Sequence, residues 1–355
     1  MCGARHLFLV FLHTIYKNFQ GGQYFVYLYQ TACARAFRAP FIRKEKAVIY
    51  ADLHCDYLSY LYRRARRMRA FFTARDISLS SILRGAADIS GKAREEFAAW
   101  KNAECALQCF ALFCPGESEE DERAIAAQLA LFSAVKREFE KDNRGKAKRR
   151  AVLTAEGGGA TGGNASYAAA LFKAGVKIFS PVWNNNNSLC SACGNDGGLT
   201  EKGKDIIALA LESGVLIDIS HASDGGAQDM ISLANERKKA VVATHSLARA
   251  LCPSPRNLTD GQIKAIADSG GVAGVCFVRG FAGAYPIAQH IEYLFNAGGE
   301  DCVAIGGDFF GCDDMLVKNV SVMPAFFRAL EKRFTPRQIE KFACDNAFRV
   351  LGICR

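Results

Sequence analysis

The chain has 355 residues, of which 50% are hydrophobic and 23% are charged. These fractions are typical of a soluble globular protein and exclude a disordered or fibrous one. No apolar run reaches the roughly 18 residues that a membrane-spanning helix needs. The net charge is +9, and the excess lies in residues 1–150, which carry 26 Lys and Arg against 16 Asp and Glu. This basic front admits a nucleic-acid partner, but solvated helix faces and loop ends explain it more simply.

The N-terminal part of the chain differs in character from the rest. Leu7–Tyr16 is apolar and follows Arg5, as in a signal peptide, but polar residues interrupt the run soon afterwards. The 14 cysteines are scattered singly, which suits a reducing compartment. We therefore expect an N-terminal extension of unclear role over residues 1–45, one domain over residues 46–355, and a cytoplasmic location, with export through a weak signal as the alternative.

Eight short apolar runs recur along residues 46–355 and predict strands. They have little polar alternation, which indicates strands buried on both faces, as in a parallel sheet. The runs are Ala47–Leu53, Cys105–Phe113, Ala151–Ala155, Val176–Val182, Val215–Ile219, Ala240–Thr244, Gly271–Phe277 and Cys302–Gly307.

Amphipathic segments between these runs predict helices. Thr200, Asp224 and Thr259 are predicted to cap three of them, and four end on glycine, at Gly175, Gly214, Gly270 and Gly298. Strands and helices that alternate in this way predict an α/β fold, a (β/α)8 TIM-type barrel. Two helices are expected within residues 57–101, and a helical tail over residues 323–351 is expected to pack outside the barrel or close its bottom. The segments are Glu119–Lys141, Ala165–Lys173, Thr200–Ser213, Asp224–Asn235, Thr259–Ser269 and Pro286–Asn296.

Five of the eight predicted strands end in side chains that bind metals or transfer protons. In a barrel, the carboxyl ends of the strands form one mouth, where active sites are built. A chance scatter of histidines and carboxylates would not place so many at strand ends. The side chains are His54, Asp56, Glu156, His221, His245 and Asp308.

The spacing and chemistry of these residues indicate a pair of metal ions. His54 and Asp56 are two residues apart in an extended segment, so both can face one ion while Cys55 points away. Three histidines and two carboxylates are too many for one tetrahedral zinc with an open position, and they suit two ions that share a carboxylate and a hydroxide. Zinc suits this ligand set best, with manganese or iron as alternatives. Asp308 is predicted to be the proton shuttle rather than a further ligand.

The chain resembles the membrane dipeptidase (renal dipeptidase) family, as a bacterial-type member. The resemblance covers roughly residues 47–351, and its motifs occur in the family's order. The matching segments are Asp52–Asp56, Leu153–Gly157, Gly198–Gly203, Ile217–Ser223, Thr244–Leu251, Pro255–Asp260 and Ile305–Asp308.

The resemblance implies a zinc-dependent dipeptidase that hydrolyses dipeptides with a metal-bridging hydroxide. It implies that His54 and Asp56 hold the first of two Zn²⁺ ions, that Glu156 bridges both, and that His221 and His245 hold the second. Mn²⁺ or Co²⁺ are expected as substitutes. It further suggests a homodimer, with no nucleic-acid or membrane partner.

The resemblance also implies roles for residues that do not hold the metal ions. Asp308 would be the catalytic acid and base, and Arg249 would bind the free carboxylate of the dipeptide, with a helix-start salt bridge as its alternative. Pro255–Asn257 is interpreted as a structural turn. Trp183 stands where animal members have a histidine that contacts the scissile carbonyl, and Phe310 stands where an acidic residue is usual. Two rival functions stay open: a binuclear hydrolase of another amide, lactam or lactone, and a non-catalytic binding module.

Overall fold

Eight parallel strands close into a barrel in the computed structural model, which describes residues 47–70, 90–141 and 148–355. Each strand pairs with its neighbours in chain order, and β1 pairs with β8. The predicted (β/α)8 barrel is confirmed, and all eight strands fall within or overlap the predicted runs. The strands are β1 Tyr50–Asp52, β2 Cys105–Phe113, β3 Arg150–Glu156, β4 Val176–Ser180, β5 Leu216–Asp218, β6 Val241–Ser246, β7 Ala273–Val275 and β8 Val303–Ile305.

The helices of the described residues surround the strands or follow them in the C-terminal tail. All six helical segments predicted from periodicity form, as do two helices within residues 57–101. The α-helices are α1 Tyr57–Ala70, α2 Ser90–Asn102, α3 Glu119–Glu140, α4 Ala165–Lys173, α5 Glu201–Glu212, α6 Asp224–Glu236, α7 Asp260–Asp268, α8 Arg279–Ala282, α9 Ile287–Gly298, α10 Met323–Leu330, α11 Pro336–Glu340 and α12 Asn346–Val350. Shorter turns lie at Gly158–Thr161, Glu300–Cys302 and Val320–Val322, and Lys341–Asp345 is a π-helical turn.

Most of the predicted helix starts are confirmed, with one correction. The hydroxyls of Thr200 and Thr259 accept backbone N–H groups of the first turn of α5 and α7. The predicted cap at Asp224 is wrong, because Ser223 is the N-cap of α6 and Asp224 is already inside the first turn. An acidic residue there still favours the helix through its dipole.

Three of the four glycines predicted to end helices are confirmed in that role. Gly175, Gly214 and Gly270 have φ values of 104°, 74° and 77°, a backbone conformation that suits glycine. At the end of α9 the cap is Gly299, with φ 83°, and not the predicted Gly298. The difference of one residue arises because both positions carry glycine and the sequence does not show which of them leaves the helix.

The C-terminal tail closes one end of the barrel. Cys344, Ala347 and Phe348 are buried in one cluster with Ala51 and Leu53 and with apolar residues of the other strands. This confirms one of the two expected positions for the tail. The opposite end, where the strands reach their carboxyl termini, remains open to a cavity and can hold a site.

Two further expectations concern membrane insertion and cysteine chemistry. Among the described helices, none is long and apolar enough to span a bilayer. The cysteines of the described residues are free thiols, including Cys190 and Cys193. Residues 1–46, which contain the predicted extension and the signal-like segment, lie outside the described residues, and Ala47–Arg355 forms one compact unit.

Candidate metal centre

The six side chains predicted at the strand ends converge at the mouth of the barrel. All except Asp308 are less than a tenth exposed, and they form three overlapping groups whose ligand atoms lie within 4.8 Å of one another. Glu156 belongs to two of the groups, and so do His54 and His245. The groups are His54, Asp56 and Glu156; Glu156, His221 and His245; and His54, His245 and Asp308.

Glu156 lies between the two halves of the cluster. Its Oε2 is 3.5 Å from His54 Nε2, and its Oε1 is 3.0 Å from His221 Nε2 and 3.3 Å from His245 Nε2. Asp56 Oδ2 lies 3.9 Å from His54 Nε2, on the first side. One carboxylate that faces two groups of ligands in this way can bridge two cations.

A hydrogen-bond chain fixes the protonation of the His245 ring. Thr244 Oγ1 lies 2.5 Å from Asp218 Oδ2 and 2.9 Å from His245 Nδ1. A carboxylate only accepts, so the hydroxyl donates to Asp218 and accepts from Nδ1–H. The Nε2 atom of His245 is therefore left with a lone pair that points into the cluster.

His221 is held in the same tautomer by another partner. Its Nδ1 lies 2.8 Å from Asn184 Oδ1, an amide oxygen that only accepts. The Nε2 atoms of His221 and His245 then face each other at 2.9 Å with a lone pair on each. Two facing lone pairs repel, and a cation that both of them ligate removes the repulsion.

Buried atoms without hydrogen-bond partners point to cations on the first side as well. His54 Nε2 and Asp56 Oδ1 are buried on this side and make no hydrogen bond, and neither does Glu156 Oε1 on the second side. Such atoms are costly in a protein interior unless something compensates them. The residues present therefore suit a pair of divalent metal ions, with mixed imidazole and carboxylate ligands.

The charges of the cluster shift the pKa values of its members. Burial alone lowers the pKa of His54, but the carboxylates of Glu156 and Asp56 outweigh it and hold the pKa well above the usual range. Burial, with the nearby Arg256 guanidinium, lowers the pKa of His221 to about 4. His221 is therefore neutral at pH 7, as a metal ligand must be, and a cation beside His54 would displace its proton.

Asp308 occupies a constrained position at the rim of the cluster. Its Oδ1 lies 3.9 Å from His54 Nε2, and burial raises its pKa to about 8. Its φ is +61°, an uncommon conformation for a residue with a side chain. A Cβ atom at Gly311 would collide with the carboxylates of Asp56 and Asp308, so only glycine lets the chain pass here.

Two further aspartates, which sequence reasoning did not assign to the site, anchor the backbone beneath it. Asp52 Oδ1 accepts the N–H groups of His54 and Gly307 at 3.1 and 2.9 Å, which ties β1 to the end of β8. Asp218 Oδ1 accepts the N–H of Thr244 at 2.9 Å and so ties β5 to β6. The only sequence signal for this role is their place two or three residues before a strand-end histidine.

The cluster opens into a cavity of about 460 Å³ with one apolar wall. Trp183, predicted to bind substrate, lies in this wall, with its ring edge-on to that of Phe113 at a centroid distance of 5.0 Å. The lining residues are Asp56, Arg63, Phe113, Pro115, Glu156, Trp183, Asn184, His221, His245, Val278, Phe281, Asp308, Gly311 and Cys312. Among the predicted ligands, only His54 is missing from this lining, because its ring stacks behind that of His245 at a centroid distance of 3.8 Å.

Arg249 is placed differently from its predicted role. Its Nη1 and Nη2 atoms bind Asp224 Oδ2 and Oδ1 at 2.7 and 2.8 Å, and its Nε donates to Asn257 O. This pairing lowers the pKa of Asp224. Arg249 thus makes the salt bridge at the start of a helix that was its alternative, and, like Arg256, it is not among the residues that line the cavity. The guanidinium cannot face a substrate while these contacts hold.

Arg256 is the arginine that lies behind the metal cluster, in the segment interpreted from sequence as a structural turn. It is 6% exposed, and its Nη2 and Nη1 donate to His245 O and Ser246 Oγ at 2.8 and 2.7 Å. Its Nε is buried without a hydrogen-bond partner. Sequence reasoning missed it because a turn and a buried cation give the same local pattern.

Comparison with known sequences identifies a family. The model of the membrane dipeptidase family, Peptidase family M19, matches residues 42–354. An uncharacterised protein of the pqqA 5′ region in Klebsiella pneumoniae is 40% identical over 178 residues, 45% of this chain and 65% of that protein. A dipeptidase of Aspergillus terreus, ataJ, is 32% identical over 39% of this chain and 36% of that protein. The match thus spans less than two thirds of the length of these curated relatives.

Comparison with solved structures finds the same fold. A dipeptidase described as a metallopeptidase of family M19 superposes with a TM-score of 0.72 at 21% identity, over 86% of this chain and 98% of that one. A metallopeptidase of Rhodobacter sphaeroides, liganded with a phosphinate mimic of the dipeptide L-Ala-D-Ala, gives the same score and identity over 86% and 99%. These similarities support the barrel architecture.

Proposed function

Because the chain belongs to the membrane dipeptidase family, we propose that it is a metal-dependent dipeptidase that hydrolyses the peptide bond of dipeptides. The observation that carries the proposal is the convergence of three histidines and Asp56 on Glu156 at the barrel mouth. Partly satisfied buried charges of this kind are characteristic of functional sites rather than of structural cores.

We propose two Zn²⁺ ions as the cofactor, with Mn²⁺ or Co²⁺ as substitutes. His54 and Asp56 would hold one ion, His221 and His245 the other, and Glu156 both. When bound, such a pair supplies an activated water and polarises the scissile carbonyl. The tautomers of the two histidines on the second side already present Nε2 for this purpose.

Asp308 is the residue that we propose for proton transfer. It lies next to the cluster, its carboxylate lines the cavity, and its backbone conformation holds it at the rim. With the cations bound, their charge would keep this carboxylate ionised, so its Oδ1 would accept the proton of the attacking water and donate it to the leaving amine. A single carboxylate can carry out both steps because the amine becomes basic as the C–N bond breaks.

The substrate carboxylate needs a cation, and we propose Arg256 for this role in place of Arg249. Arg256 is buried beside His245 with a free Nε–H, whereas Arg249 is engaged with Asp224. A fixed carboxylate sets the distance from the chain end to the scissile bond, and that distance selects dipeptides over longer peptides. Trp183 and Phe113 would form the wall against which the substrate packs.

Metal analysis combined with a substrate panel tests the proposed function. We expect about two zinc ions per chain, hydrolysis of L-Ala-L-Ala or L-Ala-D-Ala, complete loss with a chelator, and recovery with zinc, manganese or cobalt. Cyclic amides and lactones form the comparison set for the rival hydrolase. Activity that survives exhaustive chelation, or a metal-loaded protein that cleaves cyclic amides but no dipeptide, would contradict the proposal.

A pair of arginine variants tests the substrate anchor. We expect Arg256→Ala to lower kcat/KM on Ala-Ala at least tenfold more than Arg249→Ala does, since only Arg256 borders the metal cluster. An Ala-Ala amide, which lacks the carboxylate, should show a smaller loss with Arg256→Ala than Ala-Ala does. A larger loss with Arg249→Ala would return the role to the residue predicted from sequence.

A further inference from the structure

Arg63 is the only Lys or Arg among the described residues that line the cavity. It lies in the second turn of α1, the helix that begins directly after Asp56. Its one hydrogen bond is a long one, from Nη2 to Phe310 O at 3.5 Å, and no carboxylate lies within salt-bridge distance of it in the described part of the chain. A cation without an anionic partner at the mouth of a site is available to a ligand.

The two arginines of the site contact different segments of the barrel mouth. Arg256 contacts the end of β6 through His245, and Arg63 contacts the loop after β8 through Phe310. Asp56 directly precedes the helix that carries Arg63, and Asp308 lies two residues before Phe310, so both carboxylates belong to the segments around Arg63. If the substrate carboxylate meets Arg256, the N-terminal residue of the dipeptide faces the segments around Arg63, where its ammonium group finds the carboxylates of Asp56 and Asp308.

No other Lys or Arg among the described residues lines the cavity to meet an acidic side chain. Phe113, Pro115, Val278 and Phe281 are apolar, and Trp183 offers only its uncharged indole N–H. Asn184 offers only its uncharged amide N–H group, because its oxygen is engaged by His221. A neutral side chain on the N-terminal residue would leave the Arg63 guanidinium without a partner, whereas a carboxylate would receive two parallel N–H donors from it.

We infer that Arg63 is a specificity-determining residue that selects dipeptides with an acidic side chain on the N-terminal residue. The inference rests on the proposed dipeptidase function and names a substrate class for it. The guanidinium contributes binding energy only when a carboxylate reaches it. Its exposed position makes the interaction sensitive to salt, because mobile ions screen exposed charges.

Matched substrates measure the effect without depending on overall activity. Glu-Ala and Gln-Ala have side chains of the same shape and differ in charge, and Ala-Glu and Ala-Gln test the other position. For the native protein we expect kcat/KM to favour Glu-Ala over Gln-Ala about fivefold or more, a preference that falls as salt rises, and little preference between Ala-Glu and Ala-Gln.

Variants of two arginines on the same helix separate this role from general charge effects. Arg63→Gln should reduce the Glu-Ala to Gln-Ala ratio to about one, and Arg63→Glu should reverse it. Arg64→Gln is the matched control: Arg64 donates to Tyr60 Oη and does not line the cavity, so the ratio should stay as in the native protein.

The possible results distinguish a failure of the Arg63 selectivity from a failure of the dipeptidase function. An unchanged Glu-Ala to Gln-Ala ratio in Arg63→Gln overturns the inference, and so does an equal loss on all four dipeptides, which would make Arg63 the anchor of the main-chain carboxylate. Hydrolysis of Ala-Ala by the native protein, measured in parallel, tests the dipeptidase function itself. If the zinc-loaded native protein does not hydrolyse Ala-Ala, the proposed dipeptidase function is wrong. If it does, but the Glu-Ala to Gln-Ala ratio is not as expected, only the proposed selectivity is wrong.

Discussion

His221 and Asp308 have left-handed backbone conformations, with φ of +69° and +61°. Such a conformation costs a residue with a side chain about 1–2 kcal/mol, so it persists only where surrounding contacts enforce it. At both positions the chain turns sharply at the end of a strand, and the side chain is thereby directed into the barrel mouth. Local stability is given up so that the functional group points toward the metal cluster.

The hydroxyl of Thr244 determines how His245 can bind a metal. It links the Asp218 carboxylate to His245 Nδ1, and so keeps the proton off Nε2. We expect Thr244→Val, which preserves the shape of the side chain, to weaken metal binding about 10- to 100-fold, as is usual for partners that orient a metal-bound histidine. Competition with a chromophoric chelator on the purified protein measures this affinity directly.

Thr244→Ser is the matched control for this change. Serine retains the hydroxyl at the same position, and we expect metal affinity within about threefold of the native protein. If the valine variant binds metal as tightly as the serine variant, the chain from Asp218 to His245 has no role in setting the tautomer.

At the residue scale, the side chains that the sequence indicates do lie together at the barrel mouth. The contacts of the arginines around them differ from the prediction. The side chains of His54, Glu156 and His245 could be predicted because each follows an apolar run, a pattern that strand geometry imposes. The contacts of Arg249 and Arg256 could not, because both lie in a loop whose path depends on the helix packed beside it.

At the scale of elements, the strands are short and the connections carry the site. β1, β5, β7 and β8 have three residues each. The apolar runs that predict them are longer, because residues on both sides of a strand are also buried in the barrel. Periodicity therefore locates each strand but does not define its ends, which hydrogen bonding to both neighbours decides.

The C-terminal helices act as a plug for the closed end of the barrel. Phe348 is 4% exposed and packs with residues of the barrel interior. We expect Phe348→Ala to lower the free energy of unfolding by about 3–5 kcal/mol, the usual cost of a large cavity in a core. Urea unfolding of the metal-loaded protein, followed by circular dichroism, measures the change.

Tyr167, which is 51% exposed on α4, provides the comparison. Tyr167→Ala should cost less than about 1 kcal/mol, as is usual for exposed positions. Equal effects of the two substitutions would show that the tail does not close the barrel in solution. A loss of activity in Phe348→Ala at temperatures where the protein is folded would indicate that the plug also positions the strands.

At the scale of the whole molecule, the buried carboxylates couple metal binding to stability. Asp56 and Glu156 are less than a tenth exposed, lie among imidazoles and make no ion pair with an arginine or lysine of the described residues. Metal-free protein must keep these groups buried without full compensation, which is costly. Ligands that bind only the folded state raise its stability by mass action.

We therefore expect the melting temperature to rise by several degrees when zinc or manganese is added to chelator-treated protein. Scanning calorimetry at fixed protein concentration measures the shift. Magnesium at the same concentration is the control, since it prefers all-oxygen ligands and should stabilise the protein less than zinc does. Equal melting temperatures with chelator and with zinc would mean that the cluster does not bind metal in the folded protein.

The sequence by itself determined the barrel and the set of side chains at its mouth. Buried parallel strands require continuous apolar runs, and the carboxyl ends of parallel strands all lie at the same end of the barrel. Only the tertiary structure decided that Arg249 pairs with Asp224, that Arg256 lies buried beside His245, and that Arg63 is the one Lys or Arg of the described residues at the cavity. These outcomes depend on contacts between segments far apart in the chain. Such contacts leave no periodic trace in the amino-acid order, since a long flexible side chain can reach several partners from one position.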